Sequence, residues 1–394
     1  MSGIDVLIIG AGPAGASTAQ RLAREGLRVL LVEKSEFPRR KVCGEFISAP
    51  TWPLLGSLGV AEALAADAGP PVQRVGFFAG ETVLDSPMPP GQGAPRWGRA
   101  LGRHVLDGAL LQAATRSGAQ LRQPAAAAAI ARHGDCHRVT LESGRGRRET
   151  VLARVVVDCH GSWERMPGEE RAARPSDLLG FKARFAGARL APGLMPLVLF
   201  PGGYGGLVES DSGVVSFSCC IRRDTLRAIR PGNGSAGAAV CGHAMRHCRG
   251  LREALDGARV ERAWLAAGPI RPGIRPLHRD GLFRAGNAAG EAHPLIAEGI
   301  TMAIQSGFLL AQGLAAAGGL SDRALADAGR EYERAWRRQF ASRVRASRAF
   351  AALTLSPVAA DVSRVLLRRI PSALTLGALF SGKARPLSAM ETGA

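Results

Sequence analysis

Gly10, Gly12 and Gly15, followed by Glu33, are residue types at a spacing that can hold a dinucleotide. Gly10-Ala11-Gly12-Pro13-Ala14-Gly15 is a G-x-G-x-x-G. The first glycine permits a tight turn. The second lets backbone approach a pyrophosphate, and the third lets a helix pack on a strand. A helix from about Ala14, just after Pro13, would offer free N–H groups and a partial positive charge to phosphates. A carboxylate at Glu33 could accept from both hydroxyls of an adenosine ribose.

These residues need a strand, a turn, a helix and a second strand to bring them together. Val6, Leu7, Ile8 and Ile9 form a continuous apolar run, as in a parallel strand covered on both faces. Ala19, Leu22 and Ala23 recur at helical spacing over 14–24, and Gly26 stands where a helix would end. A strand over 28–32 leads into Glu33. The motif alone is weak evidence; this context is what makes it a dinucleotide site. Gly232-Asn233-Gly234-Ser235-Ala236-Gly237 has the same pattern but follows Arg230-Pro231 rather than a strand, and reads as a loop. That leaves one resident nucleotide, and a second, such as NAD(P)H, would dock transiently.

The chain of 394 residues can bury a sizeable core without disulfides or metals. Its start lacks the pattern of a secretory signal. Its longest apolar stretch, 299–318, contains Gln305, Ser306 and Gln312 and reads as a buried helix. Seven irregularly spaced cysteines suit a reducing cytoplasm. The net charge of +18 is almost all arginine, without interleaved aromatics or a nucleic-acid module, so no nucleic-acid partner is expected. Cys241, His243, His247 and Cys248 invite a metal reading. On a helix, however, the histidines share one face and the cysteines lie opposite, so no metal is expected.

Three further segments favour FAD over NAD: 39–46, containing Arg40, Cys43, Gly44 and Glu45; 101–107, where Arg103 opens a helix; and 282–300. In the last, Gly286-Asn287-Ala288-Ala289 leads through His293-Pro294 and Glu298-Gly299-Ile300 into a helix. Together they resemble the FAD-dependent group that contains geranylgeranyl reductases and aromatic-hydroxylase-type flavoprotein monooxygenases. The resemblance covers nearly the whole chain. It implies that Gly286 and Asn287 meet the ribityl and pyrophosphate groups, and that Pro294, Gly299 and Ile300 approach the isoalloxazine. Arg103 would contact the phosphates or ribityl chain, with Lys34 and Arg40 at the same end. Val155-Val156-Val157-Asp158-Cys159-His160-Gly161-Ser162 resembles the strand and turn that return beneath the FAD, which places Asp158 and Gly161 near it. Two positions depart from the group's pattern: Asn287 stands for the usual Asp, and Ala297 for the usual Gly. None of the five tryptophans sits in the G-W-x-W-x-I-P segment of flavin halogenases, so halogenation is set aside.

Cys43-Gly44 resembles the Cys-Gly of geranylgeranyl reductases, and Cys43, Glu45, His293 and Glu298 are the catalytic candidates. For Cys43 the alternative is a small buried hydrophobe, and for His293 a loop brace. Strand-like runs at 74–78, 179–185, 205–209 and 214–221 suit a mostly antiparallel sheet with Lys182, Tyr204 and Gly202 to Gly206 lining a pocket. An outward-facing strand lysine is the equal alternative for Lys182.

The expected fold is α/β: a Rossmann-like FAD-binding domain (GR2-type) from 1–70, 98–175 and 270–318, a substrate domain from 71–97 and 176–269, and a helical region over 319–394. In the helical region, Tyr332, Trp336, Phe340 and Val344 recur as on a packed helix. With Leu366, Leu367, Leu374 and Leu376 they could instead form an amphipathic cap that touches a membrane. The resemblance implies redox chemistry on a hydrophobic small molecule. NAD(P)H-dependent hydroxylation of an aromatic or polyketide-like metabolite comes first. Reduction of C=C bonds in a prenyl chain is the alternative, and a non-catalytic prenyl-binding protein the third.

Overall fold

The computed structural model describes residues 3–162, 166–167, 177–230, 232, 234–355, 357–384 and 386–387. Trp163, Pro231 and Asn233 lie outside them; of the segment 232–237 that reads as a loop, Ala236 and Gly237 instead open the helix Ala236–His247.

The apolar run at the start forms strand Ile4–Ile9, with Val6, Leu7 and Ile8 fully buried. It lies parallel between Val29–Val32 and Arg147–Asp158. Gln120–Arg122 and Leu282–Arg284 extend this sheet as further parallel strands. Alternation along the strand divides its side chains between two cores. Val6 and Ile8 face the helices Pro13–Arg24, Arg103–Arg116 and Gly299–Ala315. Leu7 and Ile9 face the hairpin Ala125–His133 and Cys136–Ser143.

Missing side chains set how closely these helices pack. A Cβ on Gly307 would lie 2.7 Å from the Ala14 carbonyl oxygen, and one on Gly286 would lie 2.8 Å from Ala14 Cβ. The early turn and the late loop are therefore in direct contact, although they lie far apart in sequence.

The second sheet runs Arg259–Val260, Leu178–Ala186, Val215–Arg222, Gly203–Glu209, Leu194–Phe200, Arg74–Ala79, Thr82–Pro87. Leu194–Phe200 pairs parallel with Arg74–Ala79, and the other pairs on this path are antiparallel. Phe181, Ala183, Phe217 and Ile221 pack under Val240, Ala244 and Leu251 of the helices Ala236–His247 and Arg249–Ala254. Gly180, Lys182 and Ser218 lie on the opposite face by alternation. Because both faces are covered, Lys182 is buried, and the outward-facing reading of this lysine is wrong.

Helix Asp322–Thr354 is capped by Ser321, whose hydroxyl accepts from the Ala324 N–H. Tyr332, Trp336, Phe340 and Val344 are all buried against the nucleotide-binding half, as the packed-helix reading expects. Helices Pro357–Arg369 and Ala373–Phe380 follow. Among the described residues, no helix is long and apolar enough to cross a membrane.

Candidate cofactor and substrate site

One continuous cavity of about 620 Å³ starts at Gly10 and Gly12, passes Gly286 and Pro294, and opens beside Leu366, Leu374 and Phe380.

The turn at its inner end is shaped by close backbone approach. Gly10 has φ +100°, and a Cβ there would stand 2.5 Å from the Cys159 carbonyl oxygen. Gly15 does not line the cavity; it packs against the Gly10 carbonyl. No side chain caps helix Pro13–Arg24 at Gly12, so its first-turn N–H groups remain available to an anion. Glu33 is buried at the end of its strand. Its carboxylate accepts from the Ala11 and Ser35 N–H groups, each at 3.0 Å, and from Arg39 at 3.2 Å. These bonds fix its orientation while it still forms part of the cavity wall.

Arg103 is bidentate with Asp107, at 2.7 Å to each carboxylate oxygen. Arg39 reaches the same carboxylate at 3.4 Å. Both guanidinium groups come within 3.7 Å of where a Gly12 Cβ would stand. The expectation for Arg40 needs correcting. Arg39, not Arg40, lines the cavity, together with Lys34 and Lys41. Arg40 turns toward Arg262, Glu261 and Arg184, and burial lowers its pKa. Sequence reading could not separate two adjacent arginines, because backbone direction decides which side each side chain takes.

The late loop is braced from below. The Gly286 N–H donates to Ser306 Oγ at 3.0 Å, and Ser306 meets the buried Tyr332 hydroxyl at 3.0 Å. That hydroxyl donates to the Arg284 carbonyl at 2.7 Å. Asn287 Nδ2 donates to Ser162 Oγ at 2.7 Å, and Ser162 donates to Glu291 at 3.0 Å. Asn287 and Gly161 both line the cavity. Asp158 does not. It lies buried behind the turn, paired with His160 and with Arg284 Nε at 3.5 Å. Its role is to hold the turn, which corrects its placement at the cofactor.

Beyond the loop, Pro294–Ile296 forms a 3-10 turn and Ala297 takes a left-handed conformation at φ +52°. The backbone geometry for which glycine is the usual residue is thus present with alanine, at a cost of about 1 kcal/mol. Gly299 and Ile300 line the cavity at the start of the next helix. Glu298 is fully buried, between Lys383 Nζ at 3.4 Å and Arg343 Nη1 at 3.7 Å, with the Ser48 hydroxyl donating at 3.3 Å. Neither cation was identified as a partner, because both come from the distant carboxyl-terminal region.

His293 and Tyr204 meet across the cavity wall, with Tyr204 Oη 2.8 Å from His293 Nδ1. Tyr204, Gly205 and Gly206 line the cavity; Gly202 and Gly203 do not. Cys43, Gly44 and Glu45 form the facing wall. Glu45 has φ +61° and forms a buried ion pair with Lys182, which stands behind the wall rather than in it.

Burial lowers the His293 pKa to about 4. The imidazole is therefore neutral near pH 7. Unfolded histidine binds a proton near its ordinary pKa of about 6.5, whereas the folded site resists it. Stability should therefore fall as pH drops from about 6.5 toward 4, by up to about 3 kcal/mol from this group. Urea unfolding of wild type and His293→Gln across that range should show a shallower acid loss in the variant; parallel curves would refute it.

Away from this cavity, His243 Nε2 bonds the Pro201 carbonyl at 3.0 Å and His247 Nδ1 bonds the His243 carbonyl at 2.9 Å. Burial raises the Cys241 pKa to about 12. All seven cysteines are free.

The donor set fits FAD. It combines an uncapped helix start, an oriented carboxylate beside the turn, and a partly buried Arg39 whose Nε atom is out of solvent and has no hydrogen-bond partner among the described residues. Residues 3–172 match the family described as FAD binding domain. Over that stretch the chain carries an FAD-binding domain. A menaquinone reductase of Mycobacterium tuberculosis is 34% identical over 154 residues, spanning 38% of this chain and 37% of that protein. A digeranylgeranylglycerophospholipid reductase of Methanothermobacter thermautotrophicus is 27% identical over 86% of this chain and 84% of its own. A solved geranylgeranyl bacteriochlorophyll reductase-like protein of Thermoplasma acidophilum superposes with a TM-score of 0.77 at 19% identity, covering 98% of each chain. Flavin-dependent halogenases share the fold of this flavoprotein as well.

Proposed function

We propose that this flavoprotein reduces a C=C bond in a long isoprenoid chain. The observation that carries the reading is the lining of the cavity. It joins the nucleotide turn to an apolar channel whose walls include Leu197, Leu199, Leu295, Leu367 and Leu374. An extended apolar chain fits such a channel with few polar contacts. The relatives that match along most of their length add support, since the one from Methanothermobacter is named a reductase of a geranylgeranyl lipid.

Bound and reduced, FAD would supply a hydride to one alkene carbon, with NAD(P)H as the proposed source of electrons. The other alkene carbon then needs a proton. Burial raises the Tyr204 pKa well above its ordinary value, so its hydroxyl stays protonated in the wall. Neutral His293 beside it orients that hydroxyl and can take part in restoring its proton. Cys43 and Glu45 shape the opposite wall. Glu298, held between Lys383 and Arg343, positions the start of the helix at Gly299.

Photoreduction of the FAD-loaded protein without oxygen, followed by a geranylgeranyl compound, should reoxidise the flavin and yield a product heavier by two hydrogens. Failure to reoxidise, with a product heavier by one oxygen once air and an aromatic substrate are admitted, would replace this reading with hydroxylation.

A further inference from the structure

Among the described residues, nine of the eleven exposed large apolar side chains fall between 350 and 380. They are organised into stripes. Val362, Val365 and Leu366 stand at i, i+3, i+4 on helix Pro357–Arg369, and Leu376, Leu379 and Phe380 repeat that spacing on helix Ala373–Phe380. Such positions share one helix face. Phe380 is 74% exposed. The opposite sides of these helices are already used: Leu367 and Leu374 pack on the second sheet, and Arg368 bonds the Thr82 hydroxyl at 2.7 Å. The exposed stripes are thus a second apolar face with no protein over it among the described residues.

We infer that this face docks on an anionic lipid bilayer. Two observations choose that occupant over a second copy of the chain. In residues 342–384 the sequence has a single acid, Asp361, while Arg345, Arg348 and Arg369 are exposed; Arg343 and Lys383 are buried against Glu298 and stand apart from this face. Arg369 follows Val362 and Leu366 on the same face, where its charge would sit at headgroup level. A chain of net charge +18 repels its own copy, whereas an anionic leaflet attracts such a patch. The second observation is continuity. Leu366 and Phe380 belong both to the exposed face and to the cavity mouth. A docked molecule would therefore open its channel into the bilayer. The docking itself stands on the surface alone and needs no assumption about the reaction.

The test is co-sedimentation of the full-length, FAD-loaded protein with two vesicle preparations. One is phosphatidylcholine; the other is phosphatidylcholine containing phosphatidylglycerol. Wild type should partition to the anionic vesicles at least about tenfold more strongly, and high salt should reduce the difference. Val365→Asp with Leu379→Asp, neither of which lines the cavity, should lose at least about tenfold while keeping its flavin absorbance. Arg348→Glu with Arg369→Glu should lose a similar factor only on anionic vesicles. Equal partition to both vesicles, or unchanged binding by either variant, would overturn the inference. So would a dimer in sedimentation velocity that the Val365/Leu379 variant dissociates, which would assign the face to a second copy. Turnover enters none of these readouts, so failure of the surface and failure of the proposed reaction are told apart.

Discussion

Gly15→Ala should leave a protein that binds FAD at least about a hundredfold more weakly, because the added methyl group has nowhere to go. A Cβ at Gly15 would overlap the Gly10 carbonyl oxygen and lie 3.1 Å from the Gly10 carbonyl carbon and 3.2 Å from Cys159 Cβ. The main obstacle is backbone, which cannot rotate aside as a side-chain end can. Relief requires the helix to lift from the strand or the turn at Gly10 to open. Either movement displaces the uncapped N–H groups at Gly12 from the pyrophosphate position. Overpacking of this kind costs about 3 kcal/mol, and every 1.4 kcal/mol is about tenfold in affinity. Flavin fluorescence titration of apoprotein measures the loss. Gly108→Ala is the control: it lies within helix Arg103–Arg116, and a Cβ there meets nothing within 4 Å. That control should keep wild-type affinity and gain up to about 1 kcal/mol of stability from helix propensity. A yellow Gly15→Ala protein with unchanged affinity would remove the assignment of this turn as the FAD site.

The second large effect is expected at Lys182. Its ammonium group and the Glu45 carboxylate pair where both side chains are at most 3% exposed. Glu45 Oε2 has no hydrogen bond among the described residues, so the ion pair of Lys182 with Oε1 is the main compensation of this carboxylate. Lys182→Met would leave a buried carboxylate without that partner, which typically costs 3–5 kcal/mol. Arg184 and Arg40 also face Glu45, so the low end of that range, about 3 kcal/mol, is expected. Replacing both partners, Glu45→Gln with Lys182→Met, should restore much of the loss, because an absent pair carries no uncompensated charge. A double-mutant cycle by chemical denaturation would measure the coupling, expected near 2 kcal/mol. Additive effects would show that the pair does not hold the cavity wall.

The nucleotide turn was legible from residue types because its logic is local. Gly10, Gly12, Pro13 and Glu33 fall within one strand–helix–strand unit, and their roles follow from backbone geometry and spacing. The same holds for the packed stripe Tyr332, Trp336, Phe340 and Val344, which helical periodicity reveals directly. The cavity wall was legible only in part. His293 and Glu45 stood out by type, but Tyr204 as the partner of His293 did not, because a strand of the second sheet delivers it. Lys182 remained undecided, since alternation along a strand says which residues share a face without saying whether that face is covered. Arg40 and Asp158 were placed at the cofactor by their neighbours in sequence. The fold turns Arg40 toward Glu261 and tucks Asp158 behind its turn with Arg284.

The sequence by itself determined that a dinucleotide is gripped at the amino-terminal turn and that a long amphipathic helix packs near the carboxyl end. Both are written within one local stretch of chain, a strand–helix–strand unit in the first case and a single helix in the second. Tertiary structure alone decided which charges meet in the dark: Glu298 with Lys383 and Arg343, and Glu45 with Lys182. It also decided that Leu366, Leu374 and Phe380 of the last two helices line the cavity. Burial and ion pairing depend on what the rest of the chain places opposite a residue, and that information lies outside any local window of sequence.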